Sequence, residues 1–154
     1  MKFTRTALDG AYIVDVEPVE DERGFHATAW SGGDFEKLGL DSGLAQVNIS
    51  FNVKKGTLRG MHFQAAPYEQ AKLVRCTAGS IYDVALDLRR ESPTFRKWAA
   101  VVLSASNRRQ FFIPAGFAHG FQALEDSTEV CYQMSRPYHS ASARGVRWND
   151  PAFG

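Results

Sequence analysis

The sequence lacks most of the features that mark specialised classes of protein. No stretch approaches the ~18 consecutive apolar residues of a membrane-spanning helix. The N-terminus, MKFTRTALDGAYIV, has no continuous apolar segment of the kind that directs secretion. Cysteine is scarce: Cys76 and Cys131 each lie inside an expected strand and form no C-x-x-C pair. That argues against a disulfide framework and predicts two reduced, buried packing residues in a reducing cytoplasm. Excess charge is missing as well. With 18 basic and 17 acidic residues the net charge is +1, which gives no field for nucleic acid or an anionic membrane. There is no internal repeat, linker or low-complexity segment, and the lack of a long helical pattern between strands argues against a βαβ fold.

What remains is a chain of 154 residues, read as one domain spanning residues 1–154. A domain of this size buries about 68–70% of its unfolded surface and needs no staples. Its pattern is β-rich. Strands are expected at 11–17, 46–51, 57–64, 72–77, 80–88, 98–103, 110–113, 120–124 and 129–134. Turn signals separate them: Lys54-Lys-Gly56, Ala66-Pro67, Ala78-Gly79, Ser92-Pro93, Ser106-Asn107 and Pro114-Ala-Gly116. Many short strands with close-spaced turns predict an antiparallel sandwich or barrel. Asp21-Glu-Arg-Gly-Phe25 reads as a hairpin turn with a charged tip. One short helix is expected over 31–40, capped by Asp34 and stopped by Gly39.

Strand parity says which side chains share a face. Leu58, Gly60, His62 and Gln64 alternate on one side, and Arg59, Met61 and Phe63 on the other. Arg59 and His62 can serve one pocket only if the strand bulges, and Gly60 between them would permit that. Ile81, Asp83, Ala85 and Asp87 share a face. The two carboxylates there either meet solvent or line a polar interior. Phe117, His119 and Phe121 share another face, as do Val130, Tyr132 and Met134.

The polar groups in or beside these strands are His62, Lys72, Asp83, His119 and Tyr132. A neutral histidine can take a proton near pH 7. A lysine can stabilise a developing oxyanion, and a tyrosine hydroxyl can return a proton. Arg23 and Arg59 suit phosphate oxygens. The inventory describes proton abstraction beside a carbonyl on a phosphorylated substrate. Metal binding is the rival chemistry. Pro114-Ala-Gly-Phe-Ala-His119 has the P-x-G-x-x-H form of metal-binding cupins. Their earlier H-x-H pair is here His62-Phe63-Gln64, with Glu69 further on, a poorer set for a metal that favours nitrogen ligands.

Taken together, these motifs resemble a known family. Leu58-Arg-Gly-Met-His-Phe-Gln64, Lys72-Leu-Val-Arg75, Asp83-Val-Ala-Leu-Asp-Leu-Arg89, Ser92-Pro-Thr-Phe95, Ile113-Pro-Ala-Gly-Phe-Ala-His-Gly-Phe121 and Trp148-Asn-Asp-Pro151 are similar, in this order, to dTDP-4-dehydrorhamnose 3,5-epimerases. Asp21-Glu-Arg-Gly-Phe25 fits the N-terminal signature. The resemblance implies an all-β, cupin-type antiparallel jelly roll, active as a homodimer without metal or cofactor. It implies a nucleotide-linked 4-keto-6-deoxyhexose as substrate. By motif, His62 resembles the proton acceptor, Tyr132 the proton donor and Lys72 the residue near the keto oxygen. Arg59 and His119 resemble substrate-binding residues. Arg23 resembles a phosphate contact reaching in from the partner subunit, and Tyr138 the aromatic that stacks on the base. Gln46 and Asn48 match a polar binding segment, one residue further from Arg59 than in the family.

Three departures follow. Thr28 and Ala143 stand where the family often has glutamates that help hold the nucleotide. Family members continue beyond the Trp-Asn-Asp-Pro motif into a tail with a binding lysine and an aspartate that partners the histidine, and neither is assigned in this chain. Asp83 is the expected substitute partner for His62, the alternative being a tail carboxylate. The same residues would also support an epimerase acting at one carbon, or a sugar-nucleotide-binding cupin with little turnover.

Overall fold

The computed structural model describes residues 1–153. Its strands begin and end close to the turn signals. In chain order they are β1 (Lys2–Arg5), β2 (Tyr12–Asp15), β3 (Val19–Asp21), β4 (Gly24–His26), β5 (Gln46–Asn52), β6 (Leu58–Gln64), β7 (Lys72–Ala78), β8 (Ser80–Asp87), β9 (Trp98–Ser104), β10 (Gln110–Ile113), β11 (Phe117–Ala123), β12 (Thr128–Met134) and β13 (Ala143–Gly145). Helix α1 (Gly32–Glu36) lies between β4 and β5.

Two sheets form, with every strand pairing antiparallel. The first has the order β1-β2-β10-β7-β12-β5, the second β13-β6-β11-β8-β9. From β5 to β12 the chain passes back and forth between the sheets, which is the winding of a jelly roll. β3 and β4 pair apart as the hairpin predicted around Arg23.

Alternation explains the layers. On β7 and β12 the inward residues Val74, Cys76 and Val130 meet Ile81, Ala85, Phe117 and Phe121 from the second sheet in one core. Each such fully buried large side chain contributes about 1.5–3 kcal/mol. The outer face of the first sheet is covered by α1, whose Phe35 packs on Val14, Leu73 and Phe112. On the outer face of the second sheet Met61, Leu86 and Ala118 form a smaller cluster with Phe153.

Some boundaries differ from expectation. α1 is shorter than 31–40, and Ser31, not Asp34, holds the N-cap position, without a side-chain bond. Asp34 sits in the first turn and pairs with Lys37. Gly39 does stop the helix, in the left-handed region at φ +69°. β11 starts three residues earlier than predicted, because Gly116 at φ +85° completes the turn and Phe117 already pairs with Asp87. β13 was not foreseen. Cys76 and Cys131 are both free thiols. Cys76 is buried, and burial pushes its thiol up to about 11, which keeps it inert. Cys131 is only half-buried.

Candidate active site

Beside the apolar core, polar side chains from both sheets converge on a cavity of about 450 Å³ lined by Ser50, Leu58, Arg59, Gly60, His62, Lys72, His119, Gly120, Phe121 and Tyr132. Ser50, Lys72 and Tyr132 come from β5, β7 and β12 of the first sheet. Arg59, His62 and His119 come from β6 and β11 of the second.

The expected bulge is what admits both Arg59 and His62. His119 pairs with His62 and Phe121 with Arg59, so the register slips by one between them. Directly paired residues share a face, so Arg59 and His62 both turn inward while Met61 goes to the outer cluster. Gly60 makes this possible. Its φ is +120°, and a Cβ there would fall on the Cα of Gly120. The two strands touch backbone to backbone at a pair of glycines.

Arg59 reaches across the gap between sheets. Its Nε–H donates to Asn52 Oδ1 at 2.8 Å, and Asn52, itself buried, donates to the Thr128 carbonyl at 3.1 Å. Asn52 is thus the residue that aims the guanidinium. Lys72 is enclosed between the sheets. Burial pulls its pKa down to about 8, against the attraction of Asp83. His62 is also held below its ordinary value, first by burial and then by its electrostatic interaction with the neighbouring Lys72 and His119. That shift favours its neutral form.

Asp83 is fully buried and faces inward, so the polar-interior reading of its strand holds. It does not bond His62. His119 Nε2–H donates to Asp83 Oδ1 at 2.8 Å. The sheet order explains the correction. β8 neighbours β11, and β6 lies one strand further out. At about 4.8 Å per strand, roughly 10 Å separates the backbones of β6 and β8. Asp83 Oδ2 and Ser50 Oγ are buried without a partner among the described residues.

Asp87, the other inward carboxylate, serves the fold. Burial alone would raise its pKa, but bonds from Arg89, Ser92 and Thr94 hold it down at about 2. Arg89 also donates to the Asp9 carbonyl at 2.7 Å. The Asp-Leu-Arg and Ser-Pro-Thr motifs therefore form one knot that ties β8 to the N-terminal segment.

The remaining predicted residues lie outside the cavity wall. Gln46 and Asn48 share the inward face of β5 with Ser50, and Gln46 Nε2 donates to Asn48 Oδ1 at 2.9 Å. Gln46 Oε1 accepts from the backbone N–H of Tyr138 at 2.9 Å, whose ring is 60% exposed. Arg23 projects from the β3–β4 turn with its side chain 82% exposed, paired with Asp21. Ser50, Phe121 and Asn52 were missed. Parity with Gln46 and Asn48 is the signal that could have found Ser50 and Asn52. Gln64 does not extend a metal set. Its amide is committed to the backbone of Tyr68, Pro137 and His139.

A jelly roll with a polar cavity opening between its sheets defines a cupin-type site for a small molecule. A family profile described as dTDP-4-dehydrorhamnose 3,5-epimerase matches residues 5–154. The chain is 46% identical to the Methanothermobacter thermautotrophicus dTDP-4-dehydrorhamnose 3,5-epimerase over 153 residues, covering 99% of this chain and 82% of that one. The crystal structure of the Elizabethkingia anophelis enzyme of that name superposes with a TM-score of 0.96 at 41% identity, covering 99% and 83% of the two chains. A Legionella pneumophila dTDP-6-deoxy-D-glucose-3,5-epimerase, solved in complex with dTDP-4-keto-L-rhamnose, superposes at 0.91 with 38% identity, covering 99% and 80%. The chain belongs to the dTDP-4-dehydrorhamnose 3,5-epimerase family.

Proposed function

We propose that the protein epimerises C3 and C5 of a dTDP-linked 4-keto-6-deoxyhexose, with His62 as base and Tyr132 as acid. The observation that carries this reading is that His62 and Tyr132 enter one cavity from opposite sheets. Inversion needs removal and return of a proton on opposite ring faces, since return to the same face restores the substrate.

The C4 ketone acidifies the C–H bonds at C3 and C5. His62 takes one of these protons. The electron pair moves into the ring bond and the C4 oxygen becomes an enolate, stabilised by the Lys72 ammonium. The Tyr132 hydroxyl then protonates the same carbon from the other face. His62 then gives its proton up to solvent and Tyr132 regains one, and a second cycle inverts the second carbon. Only protons move, so the chemistry calls for no redox group. Arg59 and His119 hold the substrate, Gln46 and Asn48 lie along its nucleotide end, and the Tyr138 ring stacks on the base.

A homodimer completes the site in this reading, with Arg23 of one subunit contacting the phosphates bound by the other. Two features support it. Arg23 stands exposed on a hairpin tip. The outward row of edge strand β5 and its continuation exposes Val47, Ile49, Phe51 and Val53, each 52–67% accessible, an apolar stripe suited to a second copy.

Turnover of a dTDP-4-keto-6-deoxyhexose in D₂O tests the reading. Deuterium at both C3 and C5 is expected. Label at one carbon would make the protein a mono-epimerase, and label at neither would make it a binding cupin.

A further inference from the structure

The segment from Ser135 to His139 is exposed at Arg136, Pro137 and Tyr138, yet each of its residues is tied down through its backbone. Ser135 N–H donates to the Ala71 carbonyl at 3.0 Å. Gln70 Nε2 donates to the Arg136 carbonyl at 3.0 Å. Gln64 Nε2 donates to the Pro137 carbonyl at 3.3 Å and to the Tyr68 carbonyl at 2.7 Å. Tyr138 N–H donates to Gln46, and His139 N–H donates to Gln64 Oε1 at 2.7 Å. The His139 ring stacks on Tyr68 at 3.7 Å, nearly parallel at 4°. An irregular loop of this kind is ordinarily mobile. Here its backbone is fixed while one aromatic ring, Tyr138, is left standing in solvent.

Gln64 is the centre of this arrangement. It is buried, 5% exposed, and its single amide makes three bonds to two separate loops. A buried amide spends its bonding capacity where geometry must be unique. It also lies two residues beyond His62 at the C-terminal end of β6, so the strand that carries the base carries the loop clamp beside it. We infer that Gln64 is a positioning residue that sets the Tyr138 ring as a rigid platform for the nucleotide base, at a fixed offset from His62. This rests on the proposed stacking role of Tyr138. It assigns to Gln64 the task of making that stack pre-organised, so that binding does not have to order the loop.

The test uses the full chain, with dTDP as the probe and calorimetry as the readout. Tyr138→Ala should weaken dTDP about tenfold, the loss of one base–aromatic stack. Gln64→Met, close in volume and without polar atoms, should weaken it by a similar factor. The double variant should bind no worse than Tyr138→Ala alone, because a clamp without its ring has nothing to position. In steady state Gln64→Met should raise KM far more than it lowers kcat. Wild-type binding by Gln64→Met, or full additivity in the double variant, overturns the inference while leaving the stacking role standing. An unchanged Tyr138→Ala overturns the stacking role itself. A measurement on the unmutated protein guards against a variant that fails to fold. The Tyr138 and His139 amides should be protected from hydrogen exchange before any ligand is added, and exchange at free-chain rates would sink the proposal.

Discussion

Lys72 offers a test in which stability and activity move with pH in opposite directions. Its side chain is enclosed between the sheets beside His62, His119, Asp83 and Tyr132. Burial lowers its pKa from the ordinary 10.5 to about 8, and Asp83 only partly restores it. At about 1.4 kcal/mol per factor of ten in proton affinity, keeping the ammonium there costs the fold at most roughly 3 kcal/mol, less what water in the open cavity returns. The unfolded chain holds this proton up to about pH 10.5 and the folded chain only to about pH 8. Between those values the unfolded state binds more protons, so stability rises with pH across that window. Below it the penalty is present in full.

Lys72→Met removes the penalty. At pH 7 the variant should be more stable than the wild type by about 1–3 kcal/mol in urea unfolding. The part of the stability gain between about pH 8 and 10.5 that belongs to this side chain should vanish. Activity should show the reverse. Wild-type kcat/KM should fall as pH rises through about 8, and Lys72→Met should lose about 10²–10³ in kcat below that pH, a deficit that narrows above it as the wild-type ammonium is lost. The acid limb should move upward in the variant, because Lys72 is one of the charges that hold His62 low. A Lys72→Met protein less stable than the wild type at pH 7 would refute the reasoning. It would mean that the resting fold binds the ammonium more than it strains to bury it.

Other consequences are equally direct. His62→Ala should abolish solvent exchange at C3 and C5 with the fold intact by circular dichroism, while Tyr132→Phe should impair inversion more than exchange; equal loss of both would argue against Tyr132 as the acid. Asp87→Ala should cost about 3 kcal/mol, since it leaves Arg89, Ser92 and Thr94 without their shared acceptor. In the wild type, the contribution of Asp87, whose folded pKa is the depressed one, is complete above about pH 4. It is lost as pH falls through about 2, so acid unfolding should begin at higher pH in the variant. For the dimer, an Arg23→Ala subunit mixed with a His62→Ala subunit should regain one working site, and no recovery in verified heterodimers would remove Arg23 from the partner's site.

How much of this was legible in the sequence depended on whether a feature is local. Turn chemistry is local, and Lys54-Lys-Gly56, Ser106-Asn107 and Pro114-Ala-Gly116 fell between strands as expected. Parity is local as well, and it grouped Asp83 with Ile81 and Ala85, and His119 with Phe117 and Phe121, on the faces they occupy. The short edge strands β1, β3, β4 and β13 have three or four residues each. Alternation over so few positions carries little signal, and their pairing depends on what lies beside them. The bulge at Gly60 was legible as a possibility, but its register came from a contact with Gly120, sixty positions away. The partner of Asp83 was not legible at all. Parity says that a side chain points inward and is silent on which strand lies next to it. A chain that left β6 beside β8 would have given Asp83 to His62. Because β11 is inserted between them, the carboxylate goes to His119. Among the described residues, His119 is therefore the imidazole that the Asp83 carboxylate fixes in one orientation, and His62 is not bonded to it. The strand order of the second sheet thus gives two chemically identical side chains different surroundings, as the proposed division into base and holder requires.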